Sequence, residues 1–332
     1  MDLSLREFKE RFTQGFLEVQ WRHWSALGVA SHVEPEERWL IDIEALTLST
    51  LIAGFQDTRL LNASIEWLIK NSDWLNLQRL KRIAKTFTEP LPKLSPRIDS
   101  LLDPQVFILL GDTFKRFGQK VWTEKEPGTW EFGKTSVTRY EDFFSKFRIR
   151  NIVTDVVLQR PSLLQLKLRG ILGIDARVEV LIYLLSKESG NSNAIAKEIL
   201  YDQKSVYRIL EKWHKVGLLA KDKGPKIVTF TLEKRAEWLD LLNLRKMPAY
   251  LNWVQVFHFL NQILKVLSVS PWSEDEYMLS SLFRDLLDEA KHMRKYLHVS
   301  VPEPNQYPGS RYLAPFAAAI LDIIEGLKGG GT

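Results

Sequence analysis

Not one of the 332 residues is cysteine, which excludes a disulfide framework, an iron–sulfur cluster, Cys-ligated zinc and a thiol nucleophile. Long apolar runs are missing too. The longest, residues 313 to 321, contains Pro315 and falls far short of the roughly 20 residues a membrane span needs. The opening Met1-Asp2-Leu3-Ser4-Leu5-Arg6-Glu7 lacks the basic-then-apolar order of a signal peptide. No nucleotide-binding glycine loop, His-Glu-x-x-His pair or Gly-x-Ser-x-Gly elbow is present. These absences lead us to expect a soluble, cytoplasmic protein with no membrane contact, no metal, no cofactor and no enzymatic activity.

What is present is ordinary in amount and uneven in placement. Hydrophobic residues make up 45% and charged residues 26% of the chain, as in folded globular proteins. At roughly 150 residues per domain, the length suggests about two domains. Lys and Arg number 46 against 41 Asp and Glu, a net charge of +5.

Helical spacing dominates, so the expected fold class is mainly α. Leu5, Phe8, Phe12, Phe16 and Leu17 line one face of a first helix. Apolar helical patterns continue over Trp39 to Phe55 and Leu60 to Ile69, and these segments are taken as an N-terminal helical domain, 1–88. The stretch Leu75 to Phe87 is a basic amphipathic helix, whose Arg79, Lys81, Arg82 and Lys85 read as a solvated face. Glu89-Pro-Leu-Pro-Lys-Leu-Ser-Pro96 cannot continue a helix and reads as a linker. Residues 97–168 are a helical connecting region, with a helix over Leu101 to Phe117 and a turn at Glu126-Pro-Gly-Thr129 that suits a short hairpin. Pro161 opens a short helix from Ser162 to Gly170. Residues 236–328 form a C-terminal helical domain in which Trp253, Val256, Phe257, Leu260, Ile263, Leu264 and Leu267 share an apolar face.

Residues 169–235 differ in kind. Asp175 caps a helix from Ala176 to Ser186, and Gly190-Asn-Ser-Asn193 supplies a turn and a second cap. A short helix follows from Ala194 to about Leu200. Asp202 then caps a third helix, Gln203 to Lys215, which Gly217 ends. Leu218 to Lys221 and Lys226 to Leu232 read as two strands around a basic loop. Three helices and a β-hairpin wing in this order are the plan of a winged helix-turn-helix domain.

The charge follows the same division. Residues 169–235 hold 13 Lys and Arg against 8 Asp and Glu, and the rest of the chain holds 33 of each. On the third helix Val206, Ile209, Leu210 and Trp213 are expected to point inward. Gln203, Lys204, Ser205, Tyr207, Arg208 and Lys212 point outward, as on a recognition helix. Gln203 and Arg208 have the chemistry to read adenine and guanine edges. Lys204, Ser205, Tyr207 and Lys212, with Lys221, Lys223 and Lys226 of the wing, suit phosphates of double-stranded DNA. The alternative is a winged helix used only for docking a protein.

Catalytic readings find little support. Arg294 and His298 sit four apart on an apparent helix, tighter than the Arg/His spacing of one class of helical ribonucleases. Gly309-Ser310 with Asp322 and Glu325 faintly suggests a nucleotidyltransferase site, but the acids fall on a helix rather than alternating on a strand. Asp42 and Glu44 have no evident partner.

Three stretches carry a resemblance. Pro161 to Leu185, Trp21-Arg-His-Trp-Ser-Ala-Leu-Gly28 with Trp39 to Leu46, and Tyr250-Leu-Asn-Trp253 with Tyr312-Leu-Ala-Pro315 are the residues concerned. They resemble a family of poorly characterised bacterial winged-helix proteins, transcriptional-regulator-like and often encoded beside nucleotidyltransferase-type toxins or phage-defence genes. The resemblance implies a DNA-binding repressor that acts as antitoxin or autoregulator of such an operon. It leaves open a non-DNA-binding protein that neutralises a partner toxin and, less favoured, a ribonuclease subunit. The flanking helices would form a homodimer or hold the partner.

Overall fold

At the head of α1 (Leu5–Ala26), the Ser4 hydroxyl accepts from the Glu7 amide, satisfying one of the free N–H groups of the first turn. The computed structural model describes residues 3–88, 101–102, 106–116, 138–224, 227–268, 274–288, 290–291, 297 and 299–329. The chain is mainly helical with one small antiparallel sheet.

The spacing of Phe8, Phe12 and Phe16 places all three on the buried side of α1. That side meets the last described helix, α14 (Leu313–Lys328). There a Cβ added at Gly15 would stand 2.5 Å from Ile324 Cγ2, so only glycine permits the approach. Beneath them lie α2 (Ile43–Ala53) and α12 (Trp253–Ser268). Nearly every residue of α2 is buried, which marks it as a central helix. Its polar groups find partners inside: Trp24 Nε1 donates to Thr50 Oγ1 at 2.9 Å, and Asn261 Nδ2 donates to Ser49 Oγ at 2.8 Å. Around this centre pack α3 (Thr58–Asn71), α4 (Leu77–Thr88), α5 (Val106–Arg116), α6 (Thr138–Lys146) and α13 (Glu276–Asp285). Segments from 1–88, 97–168 and 236–328 therefore contribute to one apolar core.

A helix was expected from Trp39, yet α2 begins only at Ile43. Asp42 caps it by accepting from the Ala45 amide, and the preceding residues are extended. Leu40 N donates to Ala249 O and Ala249 N to Arg38 O, so this backbone is bonded to a distant strand-like segment instead. The proline-rich stretch 89–96, the turn at 126–129 and the Arg294/His298 pair lie outside the described residues.

A second, smaller core gathers α7 (Leu164–Leu172), α8 (Ala176–Lys187), α9 (Ser192–Ile199), α10 (Gln203–Lys215) and α11 (Arg235–Leu241). Three strands complete it: β1 (Ser189–Gly190), β2 (Leu219–Lys223) and β3 (Val228–Leu232), in the order β1-β3-β2. The hairpin register pairs Leu219 with Leu232 and Lys221 with Phe230, and Ser189 pairs with Thr231 on the other side. Among the described residues no helix is long and apolar enough to cross a membrane.

Candidate nucleic-acid interface

The local chemistry of α8 to α10 explains their sharp ends. Asp175 accepts from Arg177 N, Asn191 from Asn193 N and Ala194 N, and Asp202 from Ser205 N, so each helix starts on a side-chain cap. Leu200 (φ 57°) turns the chain between α9 and α10, and Gly217 (φ 78°) turns it after α10. Gly217 suits this left-handed conformation because no Cβ opposes it.

These caps fix which way α10 faces. Val206 and Leu210 are buried in the smaller core, with Ile209 and Trp213 half-buried behind them. Gln203, Lys204, Arg208 and Lys212 are exposed, as is Lys215. None of the four cations has an ion pair or side-chain hydrogen bond among the described residues. Gln203 donates one amide hydrogen to Ser192 Oγ at 2.9 Å, which braces it against α9 and leaves its carbonyl and second hydrogen available. Ser205 is half-buried, and its amide carries the cap from Asp202.

The structure treats the lysines of the β2–β3 hairpin unequally. Lys223 is exposed at the end of β2. Lys221 instead pairs with Glu211 on α10, and its ammonium lies 5.7 Å from the centre of the Phe230 ring. The hydrogen bond from Lys221 holds the Glu211 carboxyl below the usual carboxylate range, and Glu211 in turn raises the pKa of Tyr207. Tyr207, half-exposed, packs edge-on toward Phe230 at 6.3 Å. The side chains of Lys221, Glu211 and Tyr207 thus brace the β2–β3 hairpin against α10. Lys226 lies outside the described residues.

One cluster was not foreseen. Arg79, Lys81, Arg82 and Lys85 read as one solvated face, but Arg79 is buried. Its guanidinium donates to Asp42 Oδ1 at 2.7 Å and Glu44 Oε2 at 2.8 Å. Arg169, its side chain 1% exposed, donates to both oxygens of Glu44 (2.7 and 2.8 Å) and to Glu179 Oε1 at 2.9 Å. Gln165 donates to Glu179 and accepts from Ile43 N, while Asn76 Nδ2 donates to the Tyr201 hydroxyl at 2.6 Å. Burial alone would lower the pKa of both guanidiniums, but the surrounding carboxylates outweigh it and keep both charged. The cluster joins α2 and α4 of the large core to α7 and α8 of the small one, ending at Tyr201 beside the first turn of α10. Arg82 adds an outer contact, its guanidinium 4.9 Å from the Tyr201 ring centre and 3.9 Å from Asp202. Sequence gave the charges; the pairing needed residues separated by up to 125 positions.

Gly309 and Ser310 form a turn whose carbonyls accept from Arg284 and Ser280, and Glu325 pairs with Lys328. Among the described residues no group of three or more His, Asp or Glu is placed to hold a metal ion. No protein-family profile, curated protein or solved structure matches this chain.

Proposed function

We propose that residues 169–235 form a winged helix-turn-helix and that the outer face of α10 reads double-stranded DNA. The observation that carries this reading is the exposed row Lys204, Arg208, Lys212 and Lys215, none ion-paired among the described residues, on a helix capped at both ends and braced by the hairpin. Arg208 and Gln203 would meet base edges, and Lys204, Ser205, Tyr207, Lys212 and Lys223 the phosphates. Lys221 contributes mainly by holding the wing, because its charge is committed to Glu211. The protein would then be a repressor-like transcriptional regulator, in keeping with its resemblance to regulators of toxin–antitoxin and defence operons. A homodimer would set two such faces on the half-sites of a palindrome.

About three to five phosphate contacts per protomer give a log–log salt slope of about −3 to −5. A footprint on the DNA upstream of the gene supplies the specific duplex, and fluorescence anisotropy compares it with a scrambled one. Arg208→Ala should cut the preference for the specific duplex by about tenfold or more, corresponding to about 1–3 kcal/mol for one base contact. No binding to either duplex at low salt, or equal losses on both, would overturn the assignment. Co-purification of a neighbouring gene product without any retarded duplex would point instead to a toxin-neutralising protein.

A further inference from the structure

A cavity of about 540 Å³ opens where the small core hands the chain on to the C-terminal helices. Four cations stand around it: Lys187 at the end of α8, Arg235 at the start of α11, and Arg245 and Lys246 on the segment leading to α12. No acid lines it. Its floor is apolar, made by Leu239, Met247 and Pro248, with the Tyr250 ring alongside.

The cations fall into two pairs of different readiness. Lys187 is fixed, bonded to Glu198 Oε1 at 3.0 Å and lying 5.5 Å from the Tyr250 ring centre. Arg235 gives its Nε hydrogen to Leu185 O at 2.8 Å, which anchors the guanidinium, and its NH1 is 3.8 Å from the largely exposed Glu188. Arg245 and Lys246 are exposed and have no ion pair among the described residues. The lining therefore combines an ion-paired, anchored pair with an exposed pair that has no ion pair among the described residues. With Lys187 and Arg235 partly offset by Glu198 and Glu188, the uncompensated charge at the opening is that of Arg245 and Lys246, which an entering anion would meet, and the fixed pair lowers the cost of ordering the site.

We propose that this cavity binds a small aromatic phosphate of mononucleotide size. The rim would hold the phosphate, with Arg245 closing on it bidentately. The floor and Tyr250 would take the flat ring. The volume falls within the range of small-molecule sites. The site is separate from the outer face of α10 and uses none of its residues. Its walls touch both cores, since Ala249 packs against the larger one and Met247 and Tyr250 against the smaller.

Isothermal titration of the full-length protein with AMP tests the proposal directly, with adenosine and inorganic phosphate as controls. AMP should bind once per chain with sub-millimolar affinity and more tightly than either control. The exposed double variant Arg245→Gln/Lys246→Gln should weaken binding by about tenfold or more, as expected for losing charged hydrogen bonds. Arg208→Ala should leave it unchanged, which separates this cavity from the DNA-reading face. Absence of AMP binding, an affinity unaltered in the double variant, or an adenosine or phosphate affinity equal to that of AMP would each overturn the proposal. Because no DNA enters the measurement, the result does not depend on whether α10 reads a duplex.

Discussion

Arg208 and Arg169 lie in the same basic stretch of sequence, yet the fold uses them in opposite ways. Arg208 stands on the open face of α10 with no ion pair among the described residues. Arg169 is buried between two cores, with Glu44 and Glu179 on its guanidinium. An unpaired surface cation leaves its field available to a polyanion. A buried, fully bonded one has exchanged that field for local structure, and removing it strands its partners. Arg169 and Glu179 are buried together, so the charge excess of residues 169–235 survives their burial, but Arg169 itself is not part of the surface that carries it.

The sharpest test of this contrast is stability. Arg169→Ala should cost about 3–5 kcal/mol in urea denaturation, because Glu44 and Glu179 would be left buried without their partner. Arg208→Ala should stay within about 0.5 kcal/mol of wild type. Similar losses for the two would erase the distinction.

Acid titration probes the same cluster with a smaller effect. Burial pushes the Asp42 carboxyl up, but the Arg79 guanidinium more than offsets this, and the net shift is downward. A carboxyl held lower in the folded state stabilises the fold above its unfolded value of about 3.9, and that contribution is lost as pH falls through the folded value. Replacing the guanidinium should let burial prevail. The acid unfolding transition of Arg79→Met, followed by circular dichroism, should move up by about one pH unit. That of Arg208→Ala should coincide with wild type, and a shared shift would show that the cluster is not what titrates.

The smallest expected difference lies within the β2–β3 hairpin. If α10 reads DNA, Lys223→Ala should weaken binding to all duplexes alike and reduce the salt slope by about 1. Lys221→Ala should change that slope less, because its charge is already paired with Glu211. Equal slopes for the two variants would mean that Lys221 leaves Glu211 when DNA arrives.

What could be read from sequence is what local chemistry determines. The bounds of α10, Gln203–Lys215, follow from the Asp202 cap, the apolar spacing and Gly217, all within a few residues of one another. Asp175 was legible as a cap for the same reason. β1 was not, since two residues carry no periodicity and Ser189–Gly190 becomes a strand only by pairing with β3. Arg79 looked like its solvated neighbours on α4 because nothing nearby in sequence reveals Glu44 and Asp42 beside it. The same holds for Lys221, whose partner Glu211 sits on α10 rather than on the neighbouring strand. The common core of the N- and C-terminal helices was likewise hidden, because an amphipathic face shows that a helix is covered but not by what.

The closure of α1 by α14 bears on how the protein is made. Trp39 Nε1 donates to Leu327 O, Lys328 pairs with Glu18, and Ile324 fills the space that Gly15 leaves. A ribosome synthesises α1 (Leu5–Ala26) long before its covering helix, which begins only at Leu313. Throughout that interval the phenylalanines of α1 lack their final neighbours, a state that invites association with other chains or with chaperones. Translation halted anywhere before residue 313 would leave the large core open on that side, however well the smaller core had already folded.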